Sequence, residues 1–425
     1  MKYILKKLVL KVLKSLARRR IKKFRGKIIA VTGSVGKTST KDAIFTVLNT
    51  RFKVKGNKKS MNSDFGLMLT ILDIDSGFSS ATKWSWYLLK ALFHSLFRDH
   101  SEILLLEFGV DKPGDMDFLT SVVKPHIAVF TNVSYMHLEE DQFQSLEEIF
   151  EEKSKLIKAL RKDGVAILNI DNEFVNSVAK GRKKTETVTF GNHREADFWA
   201  SQIKQSLDGV SFTLHHDNKR YNVETTVIGE HQIYVLLPAI ICGALVGIPI
   251  ETSLEAVKLY TLPPGRMSVI PAIKEATMLD SSYNSSPAAL KEALNILKEL
   301  GDDHRKVAVL GNMNELGAQS KALHELIGEK IPDCVDFLIT VGSNAGIMAD
   351  MAIAKGMDEK NVHKFKTTSE AAEFFKDKIK KKDLILVKGS QNNIRLERFV
   401  KKFMEFSENA KELLVRQERV WEAKL

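Results

Sequence analysis

The chain has 425 residues and a mass of 47.8 kDa, with 44% hydrophobic and 28% charged residues. That composition excludes disorder as its main state and predicts two or three domains. Two cysteines, Cys242 and Cys334, exclude a disulfide framework or a four-cysteine zinc site and point to a reducing, cytoplasmic setting. The net charge is +11, but residues 1–27 alone hold twelve Lys or Arg and no acid, so the remainder is nearly neutral and a nucleic-acid-coating protein is excluded.

Residues 1–26 form a basic amphipathic arm. Ile4, Leu5, Leu8, Val9, Val12, Leu13 and Leu16 recur at helical spacing, with lysines on the other faces. Two readings stand side by side. Residues 1–24 lie on an anionic membrane surface, peripheral on its inner face, or they dock on the body of the chain or on a partner. No segment has the roughly 18 apolar residues of a membrane span. The longest candidate, Trp84 to Phe97, is interrupted by Lys90 and His94. The N-terminus lacks the form of a signal peptide.

From Lys27 onward, short apolar runs alternate with helical stretches, as in a parallel α/β sheet. The runs are Lys27–Val31, Ile103–Leu106, Ile127–Phe130, Val165–Leu168, Val307–Leu310, Phe337–Val341 and Leu384–Val387. Residues 185–228 alternate polar and apolar and predict a small antiparallel excursion. Leu262-Pro263-Pro264-Gly265 is the best linker signal. The expected division is therefore an α/β domain over 27–263 with a mostly parallel, P-loop ATPase-like sheet, and a Rossmann-like α/β domain over 267–425.

The first run leads into Thr32-Gly33-Ser34-Val35-Gly36-Lys37-Thr38-Ser39-Thr40. Glycines let backbone N–H groups curl around phosphate oxygens, and the helix that follows adds its positive end. Gly33, Ser34, Gly36, Lys37, Thr38 and Ser39 are thus predicted to bind ATP, with Lys37 on the β- and γ-phosphates and the Thr38 hydroxyl on Mg²⁺. Val31 stands where the common phosphate loop has its first Gly.

This shortened loop resembles that of the Mur ligases, ATP-dependent amide ligases of cell-wall precursor synthesis. Further matches follow in the family's order: Gly56-Asn57 with Met61-Asn62-Ser63-Asp64-Phe65-Gly66, Glu107-Phe108-Gly109 with Pro113-Gly114-Asp115, Thr131-Asn132-Val133 with His137-Leu138-Glu139, and Glu152-Lys153-Ser154-Lys155. In the second half, Asp280-Ser281-Ser282-Tyr283-Asn284-Ser285-Ser286-Pro287, Gly311-Asn312-Met313-Asn314-Glu315-Leu316-Gly317 and Lys388-Gly389-Ser390 resemble the branch that adds D-alanyl-D-alanine to UDP-N-acetylmuramoyl-tripeptide.

The resemblance implies a muropeptide and D-alanyl-D-alanine as substrates, ATP and two Mg²⁺ ions, and an acyl-phosphate intermediate. It also implies that Glu107 and His137 ligate Mg²⁺, and that Lys153 carries CO₂ as a carbamate that binds metal, with Lys155 the competing assignment. By the same resemblance His231 and Asp280 hold the nucleotide and Arg266 swings onto the γ-phosphate. Asn62, Asn132, Asn284, Lys388 and Ser390 fall on the substrate side. Ser281, Ser286, Asn312, Gln232 and Gln391 depart from the family pattern at the nucleotide rim and acceptor side. The family's N-terminal UDP-holding domain has no counterpart, since too few residues precede the first strand. Two alternatives stay open: a lipid-linked muropeptide or another carboxylate and amine pair, or a membrane-peripheral ATP-binding protein without catalysis.

Overall fold

The computed structural model describes residues 2–57, 61–77, 80–136, 138, 142–391, 394–418 and 421, the side chains of 2–5, 81 and 185 excepted. His137, expected to ligate metal, lies outside the described residues.

The chain has an α/β fold built on two mostly parallel sheets. The first contains β1 (Lys27–Thr32), β2 (Val54–Gly56), β3 (Ile103–Glu107), β4 (Ile127–Phe130), β5 (Val165–Asn169), β6 (Thr187–Gly191), β7 (Phe198–Ser206), β8 (Gly209–His216) and β9 (Lys219–Glu224). Their order is β2-β3-β1-β4-β5-β6-β7-β8-β9. Central strands such as Ile103–Glu107 and Ile127–Phe130 are buried along their whole length, as two covered faces require. Because β1 pairs with β3 on one side and β4 on the other, the loop after it opens at the point where the strand order reverses. Ligands bind at such a crevice in open α/β sheets.

The expected antiparallel excursion over 185–228 needs one correction. The run Thr187–Phe190 belongs to β6, which is parallel to β5, and only β7, β8 and β9 pair antiparallel. Half-buried alternation is common to edge-proximal strands of either direction, so the pattern could not separate them.

The second sheet contains β10 (Ser268–Ala272), β11 (Ala276–Ser281), β12 (Lys306–Gly311), β13 (Phe337–Val341), β14 (Val362–Phe365) and β15 (Leu384–Lys388), in the order β10-β11-β15-β12-β13-β14. Here β15 lies between β11 and β12, which again brings strand ends from distant sequence side by side.

Helices α1 (Lys2–Lys23), α2 (Lys37–Leu48), α3 (Asp64–Leu72), α4 (Ala81–Leu96), α5 (Asp115–Thr120) and α6 (Leu146–Lys158) belong to the first half. The arm is α1, and it docks on the body. Leu13 and Ala17 are fully buried in the same core as Ile28, Leu106 and Phe130. Arg20 pairs with Asp99 at 3.0 Å, which also receives Lys55 at 2.6 Å. Burial opposes charge on Asp99, but the bonds from Lys55 and Ser101 prevail and hold its carboxyl well below the usual range. Among the described residues no helix is long and apolar enough to cross a membrane.

Candidate active site

Gly33 has a φ of +149°, and a Cβ there would stand 1.9 Å from Thr131 Oγ1, so only glycine lets the loop turn against β4's end. The loop is braced from that side. Asn132 Oδ1 accepts the Val35 N–H at 2.8 Å, and Ser34 Oγ accepts the Ser134 N–H at 2.9 Å. Asn132, expected on the substrate side, therefore has its carboxamide oxygen engaged with the loop. Lys37 folds back to donate to the Gly33 and Ser34 carbonyls at 2.8 and 3.0 Å. Burial lowers its pKa, and the nearby charges of Glu107 and Asp111 offset part of that.

Four side chains meet beyond the loop. Thr38 Oγ1 donates to Glu107 Oε1 at 3.1 Å, and the Asn62 amide donates to the same oxygen at 2.8 Å. From the second half, Arg266 Nη2 reaches Thr38 Oγ1 at 3.3 Å. Glu107 ends β3 and is 1% exposed, and its other oxygen, Oε2, is buried with no hydrogen-bond partner among the described residues. Such a carboxylate is costly unless something positive completes it. A hydroxyl and a carboxylate beside a phosphate loop are the hard oxygen donors Mg²⁺ takes. Among the described residues no group of three His, Cys, Asp or Glu could hold a metal unaided. Mg²⁺ ordinarily completes its shell with waters and phosphate oxygens, so the donor set fits it.

The structure separates Lys153 from Lys155. Lys153 lies on α6, is fully buried, and its Nζ has no partner among the described residues. Burial, then the neighbouring Lys37 charge, puts its pKa well below the ordinary lysine value. Lys155 instead donates to Asp117 at 2.6 Å and Glu152 at 2.7 Å, and those bonds raise its pKa. Lys153 is thus the amine that can exist uncharged.

On the second half, Asp280 is fully buried near the end of β11. Its Oδ1 accepts the Ser282 N–H at 3.0 Å, and Oδ2 has no partner among the described residues. Burial raises its pKa to about 6. The unfolded carboxyl titrates near 3.8. Between these values the native state binds more protons, so stability falls as pH rises from about 4 to about 6. Asp280→Asn is expected to be more stable than the parent by on the order of 2–3 kcal/mol above pH 6, with the gain vanishing toward pH 4. Urea titrations across that range check this, and a gain independent of pH refutes it.

Lys388, ending β15, is buried and donates to Ser281 Oγ at 3.1 Å and the Asn284 carbonyl at 3.0 Å. Burial, then Arg266, lowers its pKa to about 7. Ser390 Oγ bonds the Ser285 carbonyl and receives the Asn314 N–H, both at 3.0 Å. These residues knit the loops after β11, β12 and β15. His231 is half-buried, with Nδ1 lacking a partner among the described residues, and burial followed by Lys388 lowers its pKa to about 4. The departures from the family pattern have local work. Ser281 takes the Lys388 bond, Ser286 caps the helix Pro287–Leu300, and Asn312 Oδ1 accepts the Ala345 N–H at 2.8 Å.

Sequence reasoning missed several supports. Asn57 Oδ1 accepts the Glu107 N–H at 2.7 Å, Tyr260 donates to the Ser39 carbonyl at 3.0 Å, and the Arg266 guanidinium sits 4.3 Å from the Tyr283 ring centre. Asn57 stood in a quoted motif, so its signal was present. Tyr260 had none, because its partner lies 221 residues away.

Two family models match, the Mur ligase middle domain over residues 31–243 and the Mur ligase glutamate ligase domain over 265–391. Among similar proteins is a UDP-N-acetylmuramoyl-tripeptide--D-alanyl-D-alanine ligase of Bacillus subtilis (strain 168), 28% identical over 397 residues, covering 93% of this chain and 80% of that protein. Another with the same name, from Mycobacterium bovis, is 31% identical over 335 residues, covering 76% of this chain and 59% of that protein. Among solved structures, MurF from Acinetobacter baumannii superposes with a TM-score of 0.77 at 23% identity, covering 93% of this chain and 80% of that one. The MurF ligase of Thermotoga maritima in complex with ADP gives 0.76 at 23% identity, covering 95% and 84%. At that identity the structures speak to the fold, while the family models span most of both sheets, and together with the phosphate-loop geometry they establish that the chain belongs to the Mur ligase family.

Proposed function

We propose that this ATP-dependent ligase joins D-alanyl-D-alanine to a UDP-N-acetylmuramoyl-tripeptide, releasing ADP and phosphate. The observation that carries an ADP-forming reaction is the meeting of Thr38, Glu107 and Arg266 at the end of the phosphate loop, where a γ-phosphate would lie. The names of the similar proteins and the motifs around Asp280, Asn312 and Lys388 support the choice of substrates.

A carboxylate is a poor electrophile. In the proposed reaction its oxygen takes the γ-phosphoryl group of ATP, breaking the bond to ADP and giving an acyl phosphate. The substrate amine then attacks the carbonyl carbon, phosphate leaves, and the amine loses a proton. Backbone N–H groups of Gly33–Thr38 and the end of α2 receive phosphate oxygens, and Lys37 exchanges its carbonyl contacts for them. Arg266, held against Tyr283, adds positive charge from the second half. Thr38 and Glu107 would hold Mg²⁺, which supplies charge neutralisation on the phosphates. Lys153, as a carbamate, would present an anionic oxygen in place of a cation. His231 and Asp280 are assigned to the nucleotide, and Asn284, Lys388 and Ser390 to the loops that receive the amine.

The test is ADP release from the purified protein with Mg²⁺, ATP and UDP-N-acetylmuramoyl-tripeptide, with and without D-alanyl-D-alanine. Release that needs both, with a pentapeptide product seen by mass, is the expected result. ATP binding without release under either condition refutes this substrate pair and directs attention to lipid-linked muropeptides.

A further inference from the structure

We propose that the outer face shared by α1 and α4 docks the protein on an anionic lipid surface. This goes beyond the ligase reading and does not rest on it.

The face starts from an anomaly in α4. Ala91 is fully buried, and Trp84, Tyr87 and Leu88 pack partly buried against the same core as α1. The opposite side of the helix is also apolar. Trp86 is 66% exposed, Leu89 63% and Phe93 59%, with Leu92, Leu96 and Phe97 exposed around them. Lys90 and His94 interrupt it, but apolar side chains of a surface helix normally face the core rather than solvent. A contiguous apolar patch of this kind marks a contact surface.

α1 extends the patch. Lys23 donates to the Leu96 carbonyl at 2.5 Å and Arg20 pairs with Asp99, so the ends of the two helices meet. At the other end Lys6 sits over Phe65, whose ring packs edge-on to Trp84. The two helices therefore run side by side in the same direction. At about 100° per residue, Leu8, Val12 and Arg19 fall next to the side of α1 that carries Lys23 toward α4. Leu8 and Val12 are exposed, as are Lys11, Arg19 and Lys22.

Charge selects the occupant. Neither the 22 residues of α1 nor the 16 of α4 include an Asp or Glu. The first acid after α4, Asp99, is neutralised by Arg20 and Lys55. Lys83 and Arg98 flank the aromatic face at its two ends and are exposed. Exposed Trp and Phe among Lys and Arg is the composition that inserts shallowly at a headgroup boundary, and anionic lipids supply the opposite charge. A two-fold contact with a second copy would set one acid-free surface against another, which like-charge repulsion disfavours. With no described helix long and apolar enough to span a bilayer, the face lies on the surface.

Co-sedimentation of the full chain with vesicles tests this. Deleting α1 is unsuitable, because Leu13 and Ala17 belong to the core. The expected result is binding to phosphatidylcholine vesicles containing phosphatidylglycerol, little binding to phosphatidylcholine alone, and weakening with salt. Trp86→Ser with Phe93→Ser, both on exposed sites, is expected to lower that binding at least about tenfold with an unchanged melting midpoint. Arg19→Gln with Lys22→Gln, which leaves the apolar face intact, is expected to lower it on the anionic vesicles. Absence of binding by the unaltered chain overturns the proposal, as does equal binding by both double variants. A concentration-dependent dimer that the Trp86 and Phe93 changes dissolve, without lipid binding, assigns the face to a second copy and overturns it too.

Discussion

Lys153→Ala is expected to reduce ATP-dependent amide formation by at least about 10³-fold, whereas Lys155→Ala should change it only a few-fold. The contrast follows from two lysines on one helix in opposite environments. Lys153 Nζ is buried without a partner among the described residues, and that burial holds its pKa well below the ordinary lysine value, which favours the neutral amine that adds CO₂. Lys155 is tied to two carboxylates and kept charged, and being partly exposed it contributes little beyond a surface ion pair. If the carbamate reading holds, a short carboxylate such as formate restores part of the lost turnover in the alanine variant. The parent enzyme should also lose activity in CO₂-depleted buffer and regain it with bicarbonate. Full turnover in Lys153→Ala would end this assignment, and full turnover without CO₂ would end the carbamate.

Glu107→Gln carries the second large effect. The amide retains an oxygen to accept from Thr38 and Asn62, so the local bonds survive. What changes is the second position, where a partnerless carboxylate oxygen becomes an N–H donor. A donor cannot ligate a cation, so turnover should fall by roughly 10²–10⁴-fold and the Mg²⁺ dependence should shift to higher concentration. Stability should move the other way or stay level, because an unsatisfied buried charge has been removed. A thermal melt beside an Mg²⁺ titration separates the two. A variant with normal turnover and normal Mg²⁺ dependence would show that Glu107 is not the metal's carboxylate.

Much of the fold was legible in the chain. The strand cores β1, β3, β4, β5, β12, β13 and β15 coincide with apolar runs, because a strand covered on both faces must be apolar throughout. Short or edge strands such as β2 and β14 carry no such run and went unread. The direction of β6 could not be read either, since pairing direction depends on a neighbour rather than on the strand's own residues. At the site, Gly33, Lys37 and Thr38 stood in a local pattern whose spacing phosphate chemistry restricts, whereas Glu107 was proposed from its place after an apolar run and from the resemblance.

The sequence by itself determined the glycine loop between β1 and α2, the alternation of strands and helices and the acid-free composition of the arm, since each is a local pattern with a local physical cause. Only the tertiary structure distinguished the surroundings of Lys153 and Lys155, because burial and partners set a pKa and neither is written in helical spacing. Only it brought Arg266 to Thr38 across 228 residues and Tyr260 to Ser39 across 221. It also settled the arm against the body, where Leu13 and Ala17 complete a core that α4 shares, and left an apolar face of α4 in solvent. An amphipathic stripe specifies that a helix must bury one side, and the choice of surface rests with whatever else the fold leaves uncovered.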